Sequence, residues 1–363
     1  MKILLLGGTG AMGAHLKDIL AERGDKVFVT SRRTRHDTPN IHYIQGNAHD
    51  MAFLQEILSD GWDAVVDFMV YSTEEFQQRA SMLLAATRQY IFISSSRVYA
   101  ESLKPITEDS PRLLDIVGDV AYLATDEYAL RKARQEDILL KGKAKNFTII
   151  RPYITYSEQR LQLGDMEHAK WLLRALDGRT VVFSKDIVDH YTTLTYGLDV
   201  AKGIAALTGN AKALGEAYHI TGTKSMTWRE VLDIYFDAIE HITGRRPQVK
   251  WIDKSRKLQN PALKYQVLYD RIFDRWFDNS KITDAAPMLV FTDPVKGLPM
   301  CVQEFVRSQN LHNYSIVEEA ENDRLTGEHI RLSQIKPFKH KVLYVLCRYL
   351  RINPATIFRK KQK

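Results

Sequence analysis

The chain opens on a short apolar run, Lys2-Ile3-Leu4-Leu5-Leu6, that passes straight into Gly7-Gly8-Thr9-Gly10-Ala11-Met12-Gly13 and then into a helix-like stretch over 14–23. Strand, glycine turn and helix in that order constrain the fold more than any other feature, because they form the first corner of a β-α-β unit built round a pyrophosphate. Gly7 and Gly10 remove side chains that would hold a pyrophosphate off the backbone, and Gly13 lets the helix pack closely on the sheet. The helix start offers N–H groups and a positive dipole end to the phosphates. Thr9, Ala11 and Met12 complete the expected cradle.

Strand and helix signals then alternate at the pace of β-α-β units, with strands expected at 2–7, 26–31, 42–45, 64–69, 90–94 and 147–151 and helices at 51–58, 74–87 and 126–140. That rhythm predicts a parallel sheet with helices on both faces. The fold class is α/β: a Rossmann-type doubly wound parallel sheet with a smaller, mixed α/β C-terminal substrate-binding portion. The dinucleotide-binding domain is expected over 1–152 with returning segments at about 180–222, and the substrate-binding portion over 153–179 and 223–330. Helical pieces near 167–176, 199–207 and 227–243 alternate there with short strands at 180–183, 191–196 and 217–220. From 254 to about 322 the pattern is irregular and polar, as in a cap over a cleft.

The fifth expected strand ends in Ile93-Ser94-Ser95-Ser96-Arg97-Val98-Tyr99, and the next long helix carries Tyr128-Ala129-Leu130-Arg131-Lys132. One helical turn separates Tyr128 from Lys132, so both side chains leave one face. An ammonium beside a phenol favours the phenolate, which makes Tyr128 a usable general acid and base. Tyr-x-x-x-Lys alone carries little information in a chain of 17 tyrosines. Its setting carries the argument, since serine, tyrosine and lysine converge at the carboxyl edge of the sheet, where such folds bind ligands.

Over about 220 residues the chain resembles an extended short-chain dehydrogenase/reductase of the NAD-dependent epimerase/dehydratase family. The matching residues are Gly7, Gly10 and Gly13, the Ser95-Ser96-Arg97-Val98-Tyr99 strand end, Tyr128 and Lys132 with Glu136 beyond, Ile150-Arg151-Pro152-Tyr153 and Asp199-Val200-Ala201. Weaker echoes follow in Phe277-Asp278-Asn279-Ser280-Lys281 and Gly297. The resemblance implies that Tyr128 exchanges the proton of a sugar hydroxyl, Lys132 holds the nicotinamide ribose, and Ser95, with Ser96 as fallback, hydrogen-bonds the reacting oxygen. It also implies a nucleotide-sugar substrate and a homodimer, and by analogy a place in surface-polysaccharide synthesis.

Departures from the family pattern narrow the reaction. Sugar 4,6-dehydratases carry an Asp-Glu pair after the catalytic serine or threonine, where this chain has Ser96 and Arg97. A dehydratase is therefore disfavoured, and epimerase and reductase stay open. The second strand ends in Val29-Thr30-Ser31-Arg32-Arg33 without an acid, which predicts NADP in preference to NAD, since an arginine fork recruits a 2′-phosphate and a carboxylate repels one. Asn47 takes the adenine position, Tyr71 after the fourth strand is placed near the nicotinamide, and Ala48 and Met69, the last residue of that strand, are expected cofactor contacts as well. Tyr153 and Tyr156, after the Arg-Pro of the sixth strand, are expected to wall the sugar pocket, and Tyr153 to meet the cofactor as well. No arginine stands where relatives grip the diphosphate, and Arg160, Arg174, Arg179, Lys185 and His190 are the available substitutes. A non-sugar carbonyl reductase, and a non-catalytic dinucleotide-sensing or RNA-associated relative, are the alternatives.

Charge bears on partners once it is located. The net charge is +7, but 336–363 holds six lysines, three arginines and no acid, which leaves −2 for the rest of the chain. The body is thus not basic, and no specific nucleic acid is expected. Within the basic tail, expected over 331–363, residues 342–352 read as a short amphipathic helix that either lies on an anionic membrane surface or packs on the body or a partner subunit. The two cysteines, Cys301 and Cys347, lie far apart, which suggests neither a disulfide framework nor a zinc site and fits a reducing cytoplasm. The N-terminal apolar run is too short for a signal peptide.

Overall fold

The computed structural model describes residues 1–308 and 314–350. The chain divides into two compact units, the first made of Met1–Ser157, Tyr191–Ser225 and Leu268–Pro294, and the second of Glu158–His190, Met226–Val267 and Val295–Lys363. In the first unit β1 (Lys2–Leu6), β2 (Lys26–Ser31), β3 (Ile41–Gln45), β4 (Trp62–Asp67), β5 (Thr87–Ile93), β6 (Phe147–Pro152) and β7 (Glu216–Ile220) form one sheet in the order β7-β6-β5-β4-β1-β2-β3. Every pairing is parallel.

Alternation along the strands builds two cores. Ile3, Leu5, Val27, Val29, Val66 and Ile91 face α1 (Gly13–Glu22) and α5 (Gly197–Leu207), through Leu16, Leu20, Val200 and Ile204. Leu4, Leu6, Val65, Tyr90, Phe92 and Ile149 pack on the other face with Leu54 and Ile57 of α2 (Met51–Leu58), Phe76 and Leu83 of α3 (Thr73–Ala85) and Leu139 of α4 (Tyr128–Lys141). With both faces covered, the central strands read as near-continuous apolar runs. The strand order reverses at β1, with β2 on one side and β4 on the other, and this switch point opens the crevice in which doubly wound folds bind ligands.

In the second unit Val181–Ser184 pairs with Val249–Ile252, beside α6 (Trp228–Thr243). Val181 registers with Val249, so the segment around 180–190 belongs to this unit and does not return to the large sheet as expected. Two stretches do return, Tyr191–Ser225 and Leu268–Pro294; in the second, Arg275 donates to the carbonyls of Tyr99 and Ala100, and Asn279 exchanges hydrogen bonds with Thr221. The region expected to be irregular contains α7 (Pro294–Arg307) and α8 (Ile316–Thr326); Gly297 and Pro299 disguise the first of these in the sequence. The tail helix is α9 (Phe338–Tyr349). It starts earlier than expected and packs Tyr344 and Cys347 against Ile316 and Ala320 of α8, so its described part belongs to the second unit. Residues 351–363, with Arg359, Lys360, Lys361 and Lys363, lie outside the described residues.

Candidate active site

The glycine turn has the shape a pyrophosphate needs. Gly7 has φ +69°, and a Cβ there would stand 2.8 Å from Met69 Sδ. At Gly13 a Cβ would stand 2.6 Å from Gly8 Cα, so only glycine lets α1 start this close to the turn. Above Gly10 there is open space, with no atom within 4 Å of where a side chain would begin. The first turn of α1 contains no acid, and Met12 at its N-cap supplies no side-chain bond to the backbone. The cradle therefore fits a dinucleotide on its own geometry: an accessible turn, a bare helix start and room over the second glycine. Thr9, Ala11 and Met12 are half-buried along it, and Met69 closes one side.

Two strands along the same sheet edge, β5 delivers Ser94, Ser95 and Ser96. Ser95 caps a short 3-10 turn, Ser96–Val98, its hydroxyl accepting from the Arg97 N–H at 3.2 Å. Ser96 is fully buried and donates to the Arg151 carbonyl at 2.7 Å, which occupies its hydroxyl and leaves Ser95 as the serine able to meet a ligand. Ser94 donates to Glu136 at 2.6 Å, and the same carboxylate holds both Arg151 Nε (2.9 Å) and Arg151 Nη2 (2.8 Å). This buried ion pair sits directly behind the serine strand end.

Tyr128 begins α4, half-buried, and its hydroxyl makes no hydrogen bond among the described residues. Lys132, one turn on, is buried and donates to the Ile93 carbonyl at 2.7 Å, with its ammonium 4.5 Å from the Phe92 ring centroid. The ammonium is thus tied to the end of β5. The cation on the tyrosine is instead Arg97, whose guanidinium lies 5.3 Å from the Tyr128 ring centroid. Glu127, the N-cap of α4, holds Arg97 at 2.7 Å and also accepts from the Ala129 N–H, and the fully buried Asp270 lies 3.6 Å from Arg97. Asp270 falls in a π-helical turn, Val267–Arg271, and Arg275 approaches it at 3.5 Å. The sequence places Arg97 in the matching strand end and as a departure from the dehydratase pattern, with no role of its own, and gives no sign of Asp270 or Arg275; a basic residue directly after a buried serine strand end was the available signal.

Burial pulls the Lys132 ammonium down to about 8, against the opposing pull of Asp67 and Glu136. Asp67, at the carboxyl end of β4, is pushed up by burial although it accepts from Tyr90 at 2.8 Å and from the Met69 N–H at 2.9 Å. The sign for stability follows. Between about 8 and Lys132's ordinary 10.5, the unfolded chain holds a proton that the folded site has released, so folding gains stability as pH rises. Lys132→Met removes this dependence: its stability relative to the parent protein is expected to fall by roughly 3 kcal/mol across that window. Urea unfolding at a series of pH values measures it, and parallel curves would rule it out.

A model of the NAD dependent epimerase/dehydratase family matches residues 3–221. The chain belongs to that family. Among relatives in sequence, it is 28% identical over 245 residues to the chloroplast stem-loop binding protein of 41 kDa b of Arabidopsis thaliana, covering 62% of this chain and 60% of that one. It is 31% identical over 135 residues to a UDP-glucose 4-epimerase of Lactobacillus helveticus, covering 31% and 41%. The matched parts thus span three fifths or less of these relatives' lengths. Among solved structures, a UDP-glucuronic acid 4-epimerase of Bacillus cereus, in complex with UDP-glucuronic acid and NAD, superposes with a TM-score of 0.64 at 19% identity, covering 85% of this chain and 100% of that one. A dTDP-glucose 4,6-dehydratase of Bacillus anthracis, in complex with NAD, gives 0.64 at 16%, covering 85% and 97%. At such identities these two establish a shared fold.

Several expected family contacts are placed differently. Tyr71, expected near the nicotinamide, is fully buried in the core on the α3 side, with Arg79 4.4 Å from its ring centroid. Tyr156 is fully buried and stacked on Tyr196 at 5.4 Å, and Tyr153 is buried beside Phe277, so neither offers an open wall to a sugar. Ala48 is a core residue, whereas Asn47 is exposed. Arg32 and Arg33 are exposed at the end of β2 and pair with no acid among the described residues; Ser31 is buried and donates to the Arg33 carbonyl. Of the substitutes for a phosphate grip, Arg174 is buried on Glu319, Asp323 and Glu328, and Arg179 on Glu319 and Asp323, which commits both to an internal ion cluster. Arg160 pairs with Glu167, and Lys185 with Asp253.

Proposed function

We propose that this family member is an NAD(P)-dependent epimerase or reductase acting on a hydroxyl or keto carbon of a nucleotide-activated sugar. The observation that carries this reading is convergence on the end of β5: Lys132 on the Ile93 carbonyl, Ser95 two residues later, and Arg97 both bonded to Ser95 and lying over Tyr128. Gly7, Gly10, Gly13 and the start of α1 would hold the pyrophosphate, and Lys132 the nicotinamide ribose. The bound dinucleotide supplies a hydride acceptor and donor. Tyr128 takes the proton of the sugar hydroxyl on oxidation and returns it on reduction, its free hydroxyl being available for that exchange. Ser95 hydrogen-bonds the same oxygen, and the Arg97 guanidinium packs over the face of the Tyr128 ring.

Elimination of water calls for a further acid and base. Ser96 is locked on a carbonyl and Arg97 is paired with Glu127, which supports epimerisation or reduction over dehydration. NADP is the preferred dinucleotide, on the unpaired Arg32 and Arg33, and the two free thiols suit a cytoplasmic setting. A homodimer through the Tyr128–Lys132 helix rests on the family resemblance alone. A second reading, binding of an RNA hairpin without turnover, draws on the similarity to the stem-loop binding protein; the open Tyr128 hydroxyl and the −2 charge before residue 336 weigh against it.

Mass spectrometry of dinucleotide released from freshly denatured protein tests the proposal. Retained NADP(H) is expected for an epimerase, which keeps its cofactor through oxidation and return, and an empty protein that binds NADPH reversibly is expected for a reductase. Exclusive retention of NAD(H) would overturn the role given to Arg32 and Arg33. A protein that binds no dinucleotide, yet shifts an RNA hairpin, would overturn the enzyme reading.

A further inference from the structure

We propose that α9 is a docking element for an anionic lipid surface. A helix that only covers its own core needs a single apolar face, and α9 has two. Tyr344 and Cys347 are buried against Ile316, Ala320, Ile330 and Ile335, with Leu343 beside them. On the opposite side Phe338 (76% exposed), Val342 (45%), Val345 (38%) and Tyr349 (63%) stand clear of the unit. Their spacing of four, three and four residues puts them on one stripe three turns long. At 100° per residue, Lys339 and Lys341 fall on either flank of that stripe.

Charge decides which occupant suits the stripe. From Lys336 to Lys363 the sequence carries nine cations and no acid, so the apolar stripe lies within the most basic segment of a chain that is otherwise slightly acidic. An anionic bilayer matches both features at once: its headgroups attract the lysines, and its acyl boundary takes the valines, with an aromatic ring at each end of the stripe at headgroup depth. RNA would match the charge but not the stripe, because the two central valines give a base nothing to stack on. A second copy of the chain would bring the same cations face to face wherever the stripes met symmetrically.

The test uses the full-length protein and sedimenting vesicles of phosphatidylcholine alone or mixed equally with phosphatidylglycerol. The protein is expected to sediment with the mixed vesicles, to be released by high salt, and to stay in solution with the neutral ones. Val342→Ser/Val345→Ser and Lys339→Glu/Lys341→Glu are each expected to weaken vesicle binding by about ten-fold or more. The thermal unfolding midpoint reports whether either variant disturbs the fold, and the salt and lipid arms on the unaltered protein stand without them. Failure to bind phosphatidylglycerol vesicles, or binding that neither double substitution weakens, would overturn the proposal. A dimer that the valine substitutions dissociate, without vesicle binding, would assign the stripe to self-association; retention on an RNA hairpin alone would assign the cations to nucleic acid.

Discussion

Tyr128→Phe is expected to lower turnover of a UDP-sugar by about 10²–10⁴-fold while leaving dinucleotide binding and the unfolding midpoint in place. The phenolic hydroxyl bonds to nothing among the described residues, so its removal breaks no structural contact; what is lost is the group that moves the proton. Arg97→Met is expected to fall between the two, about ten-fold below the parent protein, because it removes the cation over the ring but keeps the hydroxyl. Arg97 also balances Glu127 and lies near Asp270, so the size of the Arg97 effect must be read with a stability measurement beside it. Comparable turnover in the Tyr128→Phe protein would remove Tyr128 from the chemistry and return the site to a binding role.

Glu136→Leu is expected to cost about 3–5 kcal/mol of stability, among the largest effects of any single change in the first unit. Glu136 is completely buried and bonds Ser94, two donors of Arg151 and, more loosely, Arg112. Removing the carboxylate strands the Arg151 guanidinium inside the protein, where only the Tyr99 hydroxyl and the Glu108 carbonyl still accept from it. Pairing the change with Arg151→Met is expected to recover most of the loss, since a buried pair replaced whole by apolar side chains leaves no uncompensated charge. Urea unfolding of the two single variants and the double variant measures the coupling. Additive losses would mean that the pair is not a unit.

Local signals made much of the first unit legible. The helix over 51–58 appears at those bounds because Asp50 accepts from the N–H groups of Ala52 and Phe53, a cap that can be read from an acidic residue before an apolar periodic run. The strands of the large sheet were visible because their runs of Ile, Leu and Val are buried on both faces. What stayed hidden depends on contacts between residues distant in sequence. The return of Leu268–Pro294 to the first unit rests on hydrogen bonds from Arg275 and Asn279 to residues far upstream, and nothing in the local pattern announces them. Tyr153 and Tyr156 were expected as pocket walls because they follow a strand end, but a strand end places the backbone, and the burial of a large ring is decided by its neighbours. The glycine cradle and the positions of Ser95, Tyr128 and Lys132 were legible; that Lys132 would hold a carbonyl, and Arg97 the phenol ring, was not.

The sheet is closed at one edge by a strand that is synthesised late. β6 ends at Pro152 and its partner β7 begins at Glu216, with the whole of the second unit's first segment, Glu158–His190, in between. On a ribosome adding 5–20 residues per second, the buried edge of β6 therefore waits several seconds for its neighbour. During that interval the nascent chain presents an apolar strand with unpaired N–H and C=O groups, the kind of surface that invites pairing with another chain. Truncation between these two strands would make the interval permanent, so a fragment ending near residue 157 is not a smaller version of the dinucleotide-binding unit but a sheet with an open, aggregation-prone edge. For this protein, the order in which the strands leave the ribosome makes chaperone demand a property of chain topology.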